Sequence, residues 1–239
     1  MSSRQPPALI LAAGRGERMR PLTDHCPKPL LQVRGKALIE WHLEALARAG
    51  VTEVVINTAW LEEQFPAALG DGSRWGLSIH YSMEGRDHGG ALDISGGIAN
   101  ALPRLTQQSS ASFWAVSGDV FLPGFAFAGV DAARFGESAE LAHLWLVPNA
   151  AHHPRGDFGI DAATGLATDR PPHRTYASVG LFRAELFADI VPGTRLALRP
   201  RLDAALAVGR LGAQAWDGAW TDVGTAERLA ALNAPVARA

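Results

Sequence analysis

The stretch LAAGRGERMRPLTDHCPKPL, from Leu11 to Leu30, directly follows a short apolar run and carries two glycines and four cations. The run from Ala8 to Ala12 has the length and composition of a buried strand. Gly14 and Gly16 let the backbone approach a ligand closely. The N–H groups of a glycine-rich loop at a helix start favour a bound phosphate. The stretch therefore predicts a phosphate-binding connector, with a plain turn as the alternative.

Two common phosphate-loop motifs do not fit this stretch. Met19 stands at the third glycine of the dinucleotide pattern G-x-G-x-x-G, and no Gly-Lys-Ser/Thr follows as in a P-loop. Arg15, Arg18 and Arg20 lie within the stretch, and Lys28 stands between two prolines. Lys28 is one of only two lysines among 22 basic residues. A compact ammonium suits a phosphoryl oxygen that moves during a reaction, so Lys28 is a candidate ligand of phosphate.

The composition is that of an ordinary packed domain. Of 239 residues, 47% are hydrophobic and 19% are charged, and the formal net charge is -2. We therefore expect no nucleic acid and no anionic membrane as partner. One cysteine, Cys26, excludes an intramolecular disulfide and a cysteine-based zinc cluster. The N-terminal residues MSSRQPP lack an apolar segment, so we expect a cytoplasmic protein without a membrane span. The sequence does not indicate the oligomeric state.

Apolar periodicity predicts alternating strands and helices in the first half of the chain. The expected elements are a helix from Leu38 to Gly50, a strand over Glu53–Asn57, a helix over Trp60–Leu69, and strands over Leu77–Ser82 and Phe113–Asp119. This alternation predicts an α/β fold with a Rossmann-like, mostly parallel sheet and helices on both faces. Ligands bind at the carboxyl ends of such strands. Gly14, Asn57 and Asp119 fall at those ends.

Beyond Phe121 the pattern changes to short strand-like pieces interrupted by proline and glycine. The pieces AELAHLWLV, GDFGID and TYASVGLF predict a small antiparallel subdomain packed on the first sheet. Two further helices are expected at Pro200–Val208 and Thr225–Leu232. The sequence contains no internal repeat, and its one biased tract is Gln107–Ser112. We therefore expect one continuous domain.

Several motifs together resemble the sugar-1-phosphate nucleotidyltransferases. The stretch that starts at Leu11 is similar to the family signature L-x-x-G-x-G-x-R-x-x-P-L-T followed by P-K-P-L. The segment SGD (Ser117–Asp119) resembles the first metal-binding segment, usually N-G-D, and WTDVGT (Trp220–Thr225) resembles the second. Within the family, LDISGG (Leu92–Gly97), GDF (Gly156–Phe158) and TDVGTAERL are most similar to the N-acetylmuramate-1-phosphate uridylyltransferases of peptidoglycan recycling in the cell wall.

The resemblance implies a reaction and a residue for each part of it. An oxygen of a sugar-1-phosphate attacks the α-phosphorus of UTP and displaces pyrophosphate, with Mg²⁺ held by Asp119 and Asp222. The implied catalytic residues are Arg18, on the β- and γ-phosphates, and Lys28, on the α-phosphate or the sugar phosphate. The implied nucleotide-binding residues are Ala13, Gly14, Gly16, Glu17, Arg18, Lys28, Asp93 and Gly96. The implied sugar-binding residues are Ser117, Asp157 and Gly180.

The resemblance also implies a single nucleotidyltransferase domain over residues 8–239. Residues 8–121 would bind the nucleotide, and residues 122–239 would bind the sugar and supply the second metal ligand. Two alternatives stay open. The chain could act on another phosphate, such as mannose-1-phosphate with GTP, glucose-1-phosphate with UTP or dTTP, or a phosphocholine. It could also be an inactive sensor of a nucleotide sugar, because Ser117 replaces the usual Asn and Asp93-Ile94-Ser95 replaces Glu-Thr-Gly or Glu-Thr-Ala.

The candidate site residues also have structural alternatives. Asp222 suits an N-cap for the last helix, and Asp119 and Asp157 suit turns. His152 and His153 are adjacent in a loop without further ligands at metal-binding spacing. We therefore expect both histidines to be solvated rather than bound to a metal.

Overall fold

A central sheet with helices on both sides organises the chain in the computed structural model, which describes residues 5–107 and 111–235. Residues 1–4 of the N-terminal segment and residues 108–110 of the biased tract Gln107–Ser112 lie outside the described residues. The described strands are β1 (Ala8–Leu11), β2 (Gln32–Val33), β3 (Lys36–Ala37), β4 (Glu53–Thr58), β5 (Ser78–Met83), β6 (Ser112–Ser117), β7 (Val120–Phe121), β8 (Ala142–Val147), β9 (Gly159–Ile160), β10 (Ala167–Thr168), β11 (Thr175–Arg183), β12 (Leu211–Ala215) and β13 (Thr221–Asp222). The described helices are α1 (Leu22–His25), α2 (Leu38–Arg48), α3 (Gln64–Leu69), α4 (Glu84–His88), α5 (Asp93–Leu105), α6 (Gly129–Glu137), α7 (Arg199–Ala207) and α8 (Ala226–Asn233).

The central sheet has seven strands in the order β12-β8-β11-β6-β1-β4-β5. The first strand of the chain, β1, is an interior strand of this sheet and is parallel to both neighbours, β4 and β6. The edge strands β5 and β12 are also parallel to their neighbours, β4 and β8. β11 runs antiparallel to β6 and β8. The expected α/β fold with a mostly parallel sheet is therefore confirmed.

Each face of the sheet packs against helices, because alternate residues of a strand point to opposite faces. Ile10 of β1 belongs to a core cluster that also contains Leu43 of α2 and Phe65 of α3. The next residue back along β1, Leu9, belongs to a second cluster with Ile98 of α5 and other residues of α5 and α7. Helices thus cover both faces, as the sequence predicts.

Two of the three strand-like pieces expected to form a separate lobe belong to the central sheet instead. AELAHLWLV contains β8 and TYASVGLF contains most of β11, and all six residues of β8 are buried. Continuous burial is expected of a strand covered on both faces. The piece GDFGID supplies β9, which pairs with β10 in a two-stranded antiparallel sheet. The functional division at residue 121 stays a prediction, and strands from both sides of it lie next to each other in the sheet.

The helices agree with the sequence in part. The structure has α2, α7 and α8 within two residues of their expected bounds, while α3 begins at Gln64 rather than Trp60. The sequence does not predict α5, the longest described helix, because it contains Gly96, Gly97 and Pro103, which disfavour a helix. Over the described ranges, no helix combines the length and apolar character that a membrane crossing requires.

Candidate functional site

A cleft of about 210 Å³ opens at the edge of the sheet where β1, β4 and β6 end. Its lining consists of Leu11, Ala12, Ala13, Gly14, Lys28, Pro29, Asn57, Ala91, Asp93, Ile94, Ser117 and Asp119. The lining includes Gly14, Asn57 and Asp119, the three residues expected at strand ends. Because ligands of parallel α/β sheets bind at this edge, we take the cleft as the candidate site.

Residues that follow the glycine loop in the chain hold the loop in place after β1. Gly16 has a φ of +69°, and a Cβ there would lie 2.9 Å from Cγ2 of Thr23. The Thr23 hydroxyl donates to the Gly16 carbonyl at 2.8 Å. Arg15 donates to the Thr23 carbonyl, pairs with Asp24 and lies with its guanidinium carbon 3.6 Å from the ring centroid of Trp60. Arg15 therefore supports the loop, and its guanidinium is already paired with Asp24 and stacked on Trp60.

Lys28 and Asp119 form an ion pair in the cleft. Lys28 Nζ lies 2.6 Å from Asp119 Oδ2, and the Lys28 side chain is only 10% exposed. The Ser117 hydroxyl donates to Asp119 Oδ1 at 2.7 Å. Burial raises the pKa of Asp119, but the charge and hydrogen bond of Lys28 and the Ser117 hydroxyl outweigh it and hold the pKa below its usual value. The Asp119 carboxylate is thus charged near neutral pH and is held by two partners.

Asp222 lies beside Asp119 because β13 pairs with β7. Asp222 is opposite Val120 in this antiparallel pair, and the Val223 N–H donates to the Asp119 carbonyl at 2.8 Å. Asp222 Oδ1 accepts from Arg228 Nη1 and lies 3.1 Å from His152 Nε2. The structural alternative for Asp222 is wrong, because the side chain that caps α8 belongs to Thr225.

Arg18 reaches from the glycine loop to the same C-terminal segment. Glu17 and Arg18 are exposed at a single 3-10 turn, Glu17–Met19. A Cβ on Gly224 would lie 3.4 Å from Arg18 Nη2 and 3.2 Å from Asp222 Oδ2. The guanidinium of Arg18 and the carboxylate of Asp222 therefore border one small space that glycine leaves open.

Asp157 lies in the loop that precedes β9, and its carboxylate has several partners. Oδ2 accepts the Tyr176 N–H at 2.8 Å, while Oδ1 lies 3.2 Å from His153 Nε2 and 4.0 Å from Arg199 Nη1. His152 and His153 are partly exposed, as expected, but each also contacts a predicted site carboxylate, which the sequence did not indicate. One two-residue segment thus contacts both Asp222 and Asp157.

The other expected nucleotide and sugar ligands divide into two groups. Asp93 lines the cleft with a φ of +62°, and its carboxylate accepts the Ile94 N–H at 2.7 Å. Gly96 is buried, its N–H donates to the Leu196 carbonyl, and a Cβ there would overlap the Thr194 carbonyl. Gly180 is buried in the sheet, where a Cβ would lie 2.8 Å from the His143 carbonyl. Gly96 and Gly180 are not part of the cleft lining.

Two buried titratable residues near the cleft were missed by the sequence analysis. Glu84 is 0% exposed, accepts hydrogen bonds from Asn57 and Leu92, and has its pKa raised by burial. His42 of α2 lies with Nε2 2.9 Å from the Val120 carbonyl, and burial lowers its pKa to about 4. Neither residue belongs to a motif, so only the three-dimensional packing identifies them.

The carboxylates near the cleft can supply part of a metal site. Within residues 5–107 and 111–235, no group of three or more His, Cys, Asp or Glu is arranged to hold a metal ion. Mg²⁺, however, is usually bound by one or two carboxylates together with substrate phosphates and water. Asp119, in the turn before β7, and Asp222, on β13, fit such a partial donor set.

Comparisons with known proteins agree with this geometry. The model of the family described as nucleotidyl transferase matches residues 7–164. An N-acetylmuramate alpha-1-phosphate uridylyltransferase of Neisseria meningitidis is 47% identical over 225 residues, covering 93% of this chain and 94% of its own. A protein of the same name from Caulobacter vibrioides is 30% identical over the full length of both chains. A solved structure from Bacillus anthracis, described as a glucose-1-phosphate thymidylyltransferase in complex with sucrose, has a TM-score of 0.78 at 20% identity, covers 95% of this chain and 93% of its own, and so supports the fold.

Proposed function

Because the chain belongs to the nucleotidyl transferase family, we propose that it transfers a uridylyl group from UTP to N-acetylmuramic acid α-1-phosphate. The products are UDP-N-acetylmuramic acid and pyrophosphate. The observation that carries the proposal is the buried Lys28 ammonium, paired with Asp119 in a cleft beside the glycine loop. The likeness to two uridylyltransferases over nearly the whole chain supports the choice of substrates.

The reaction forms one bond and breaks one bond at the same phosphorus. An oxygen of the sugar phosphate attacks the α-phosphorus of UTP, and the bond from that phosphorus to the bridging oxygen of the β-phosphate breaks. Pyrophosphate leaves with the electron pair. The attacking phosphate oxygen is already anionic at neutral pH, so the protein needs no general base. Its contribution is positioning and neutralisation of charge.

We assign the phosphates to the cations beside the glycine loop. Lys28 lines the cleft, and its ammonium is the proposed partner of the α-phosphate. In this proposal the ammonium moves from Asp119 to the phosphate when the nucleotide binds. Arg18 is exposed at the mouth of the loop and is the proposed partner of the β- and γ-phosphates. Ala13, Gly14, Gly16 and Glu17 are the proposed backbone contacts of the nucleotide.

Mg²⁺ is the proposed cofactor, with Asp119 and Asp222 as its protein ligands. When bound, the ion neutralises phosphate charge and withdraws electrons from the α-phosphorus. Ser117 and Lys28 orient the Asp119 carboxylate, and Arg228 and His152 orient that of Asp222. Each carboxylate is thus held in place by the protein.

The proposed sugar site lies around Ser117 and Asp157. N-acetylmuramic acid carries a lactyl carboxylate, so its pocket requires a cation that glucose-1-phosphate does not need. Arg155 is exposed two residues before Asp157 and is the proposed partner of this group. Gly96 stays a proposed contact of the nucleotide and Gly180 of the sugar, although both are packed against backbone carbonyls and neither lines the cleft. A reducing cytoplasm fits the single cysteine, and peptidoglycan recycling is the proposed setting.

A matrix of substrates tests the proposal. Pyrophosphate release is measured for UTP, GTP, dTTP and CTP against the 1-phosphates of N-acetylmuramic acid, glucose and mannose and against phosphocholine. We expect the highest kcat/KM for UTP with N-acetylmuramic acid α-1-phosphate. A tenfold preference for another pair would change the substrate assignment. Binding of a nucleotide without turnover of any pair would favour the sensor instead.

A further inference from the structure

The carboxylate of Glu84 is fully enclosed between the ends of β4 and β5 and the segment before α5. Its exposure is 0%. Oε1 accepts a hydrogen bond from Asn57 Nδ2 at 2.7 Å, and Oε2 accepts one from the Leu92 N–H at 2.8 Å. Such a buried charge is costly unless its oxygens have donors, and here both have one.

Through these partners Glu84 connects two walls of the cleft. Asn57 Oδ1 accepts the Ala12 N–H at 2.8 Å, and Ala12 belongs to the wall formed by the end of β1. Leu92 is flanked by Ala91 and Asp93, both of which line the opposite wall. The chain of hydrogen bonds from Ala12 through Asn57 and Glu84 to Leu92 therefore spans the base of the cleft.

The helix beside this chain of bonds leaves room for it. A Cβ on Gly97 of α5 would lie 2.5 Å from Asn57 Nδ2 and 2.7 Å from Glu84 Oε1. Glycine at this position lets the amide and the carboxylate meet directly against the helix, although glycine lowers helix stability. Gly97, which makes α5 hard to predict from the sequence, is thus required by the Asn57–Glu84 pair.

We propose that Glu84 is a positioning residue that fixes the distance between the two walls of the nucleotide cleft, through Asn57 and the Leu92 N–H. The inference rests on the proposed function, since the cleft is taken to bind UTP. Glu84 does not line the cleft and acts only through the residues that do.

The order of donors and acceptors lets the proposal be tested by exchanging the amide of Asn57 and the carboxylate of Glu84. The Glu84 carboxylate accepts from two N–H donors, Asn57 Nδ2 and the Leu92 N–H. In Glu84→Gln only the amide oxygen can accept, so the new NH₂ group faces one of these donors without a hydrogen bond. Asn57→Asp brings two carboxylates together. The double variant Asn57→Asp/Glu84→Gln restores every bond, because the new carboxylate at position 57 accepts from Ala12 and from the new amide at position 84, whose oxygen accepts from Leu92. The negative charge of the pair is also kept.

The experiment measures kcat, the KM of each substrate, the melting temperature, and NMR hydrogen exchange of the Ala12 and Leu92 amides. We expect each single variant to raise the KM for UTP about tenfold, as a buried unpaired group does, with a much smaller effect on the KM for the sugar phosphate. The double variant should return the KM for UTP to near the wild-type value. Leu105→Ala, which leaves a cavity at the far end of α5, is the matched control for stability and should leave this KM unchanged.

Three results would overturn the inference. They are an unchanged KM for UTP in both single variants, recovery of the melting temperature but not of the KM in the double variant, and a raised KM in Leu105→Ala. If Glu84→Gln does not fold, Asn57→Asp against the double variant gives the same comparison.

If the wild-type chain transfers no nucleotidyl group, the proposed function fails, and hydrogen exchange of the Ala12 and Leu92 amides then tests the positioning role by itself. Faster exchange at Ala12 and Leu92 in the single variants and slow exchange in the double variant would support the positioning role, and unchanged exchange would refute it.

Discussion

The ammonium of Lys28 and the carboxylate of Asp119 lie 2.6 Å apart although 91 residues separate them in the chain. Lys28 follows the glycine loop, and Asp119 follows β6, the strand next to β1. The pair therefore exists because β1 and β6 are parallel neighbours that end at the same edge. Each charge offsets the burial of the other. On the proposed mechanism, the Lys28 ammonium binds phosphate and the Asp119 carboxylate binds Mg²⁺.

Substitution of either proposed metal ligand should remove most of the activity. We expect Asp119→Asn and Asp222→Asn each to lower kcat on the order of 10²-fold, because less charge remains to hold Mg²⁺ at the phosphates. Pyrophosphate release is measured across a Mg²⁺ titration, and calorimetry measures binding of the metal–UTP complex. Asp189→Asn is the matched control, since it removes an exposed carboxylate that pairs with Arg201. Near wild-type kcat at saturating Mg²⁺, with an unchanged circular dichroism spectrum, would exclude that aspartate as a ligand.

Arginine should not replace lysine at position 28. The Lys28 side chain is 10% exposed and ends at a 2.6 Å contact, so a longer, planar guanidinium has little room. We expect Lys28→Arg to be nearly as damaging to kcat as Lys28→Met. Lys36→Arg is the control, because Lys36 is the other lysine of the chain and pairs with Glu44 away from the cleft. Full activity of Lys28→Arg would mean that the position requires only a positive charge.

The predictable part of the fold consists of segments whose own pattern matches their surroundings. The helix α2 and the strand β4 agree with the sequence closely because burial follows the apolar pattern directly. The helix α5 was missed because Gly96 and Gly97 are required by neighbours distant in sequence, the Thr194 carbonyl and the Asn57–Glu84 pair. Likewise, the short patterns of β8 and β11 predict strands but not the sheet they join.

The candidate site divides in the same way. Lys28, Asp119 and Asp222 were proposed as site residues because they stand in long motifs, and the structure has Lys28 and Asp119 in contact. The contacts of His152 with Asp222 and of His153 with Asp157 join segments that no motif marks. Supporting side chains of this kind become visible only when the chain is folded.

A methyl group at position 224 should disturb the space between Arg18 and Asp222. A Cβ there would lie 3.1 Å from Arg228 Nη1, 3.2 Å from Asp222 Oδ2 and 3.4 Å from Arg18 Nη2. These distances require the charged groups to move by a few tenths of an ångström. We expect Gly224→Ala to lower kcat/KM about tenfold, since small displacements of positioned groups are costly.

Gly136→Ala is the matched control for this change, because a Cβ at Gly136 would meet no heavy atom within 4 Å. Initial rates over a range of UTP and Mg²⁺ concentrations are the measurement, with melting temperatures to compare stability. Equal kcat/KM values for the two variants would show that the space beside Gly224 has no part in the reaction.

The buried His42 should make the stability of the protein depend on pH. Burial lowers its pKa from 6.5 to about 4 in the folded state, so between these values the unfolded chain binds a proton that the folded chain does not. Stability therefore falls as the pH drops from about 6.5 to 4, by on the order of 3 kcal/mol from this residue. Urea unfolding at pH 7, 6 and 5 measures the slope. His42→Gln keeps an N–H donor for the Val120 carbonyl but has no titrating group, so the stability of this variant should decline less over this pH range. An equal decline in both proteins would mean that other residues cause the pH dependence.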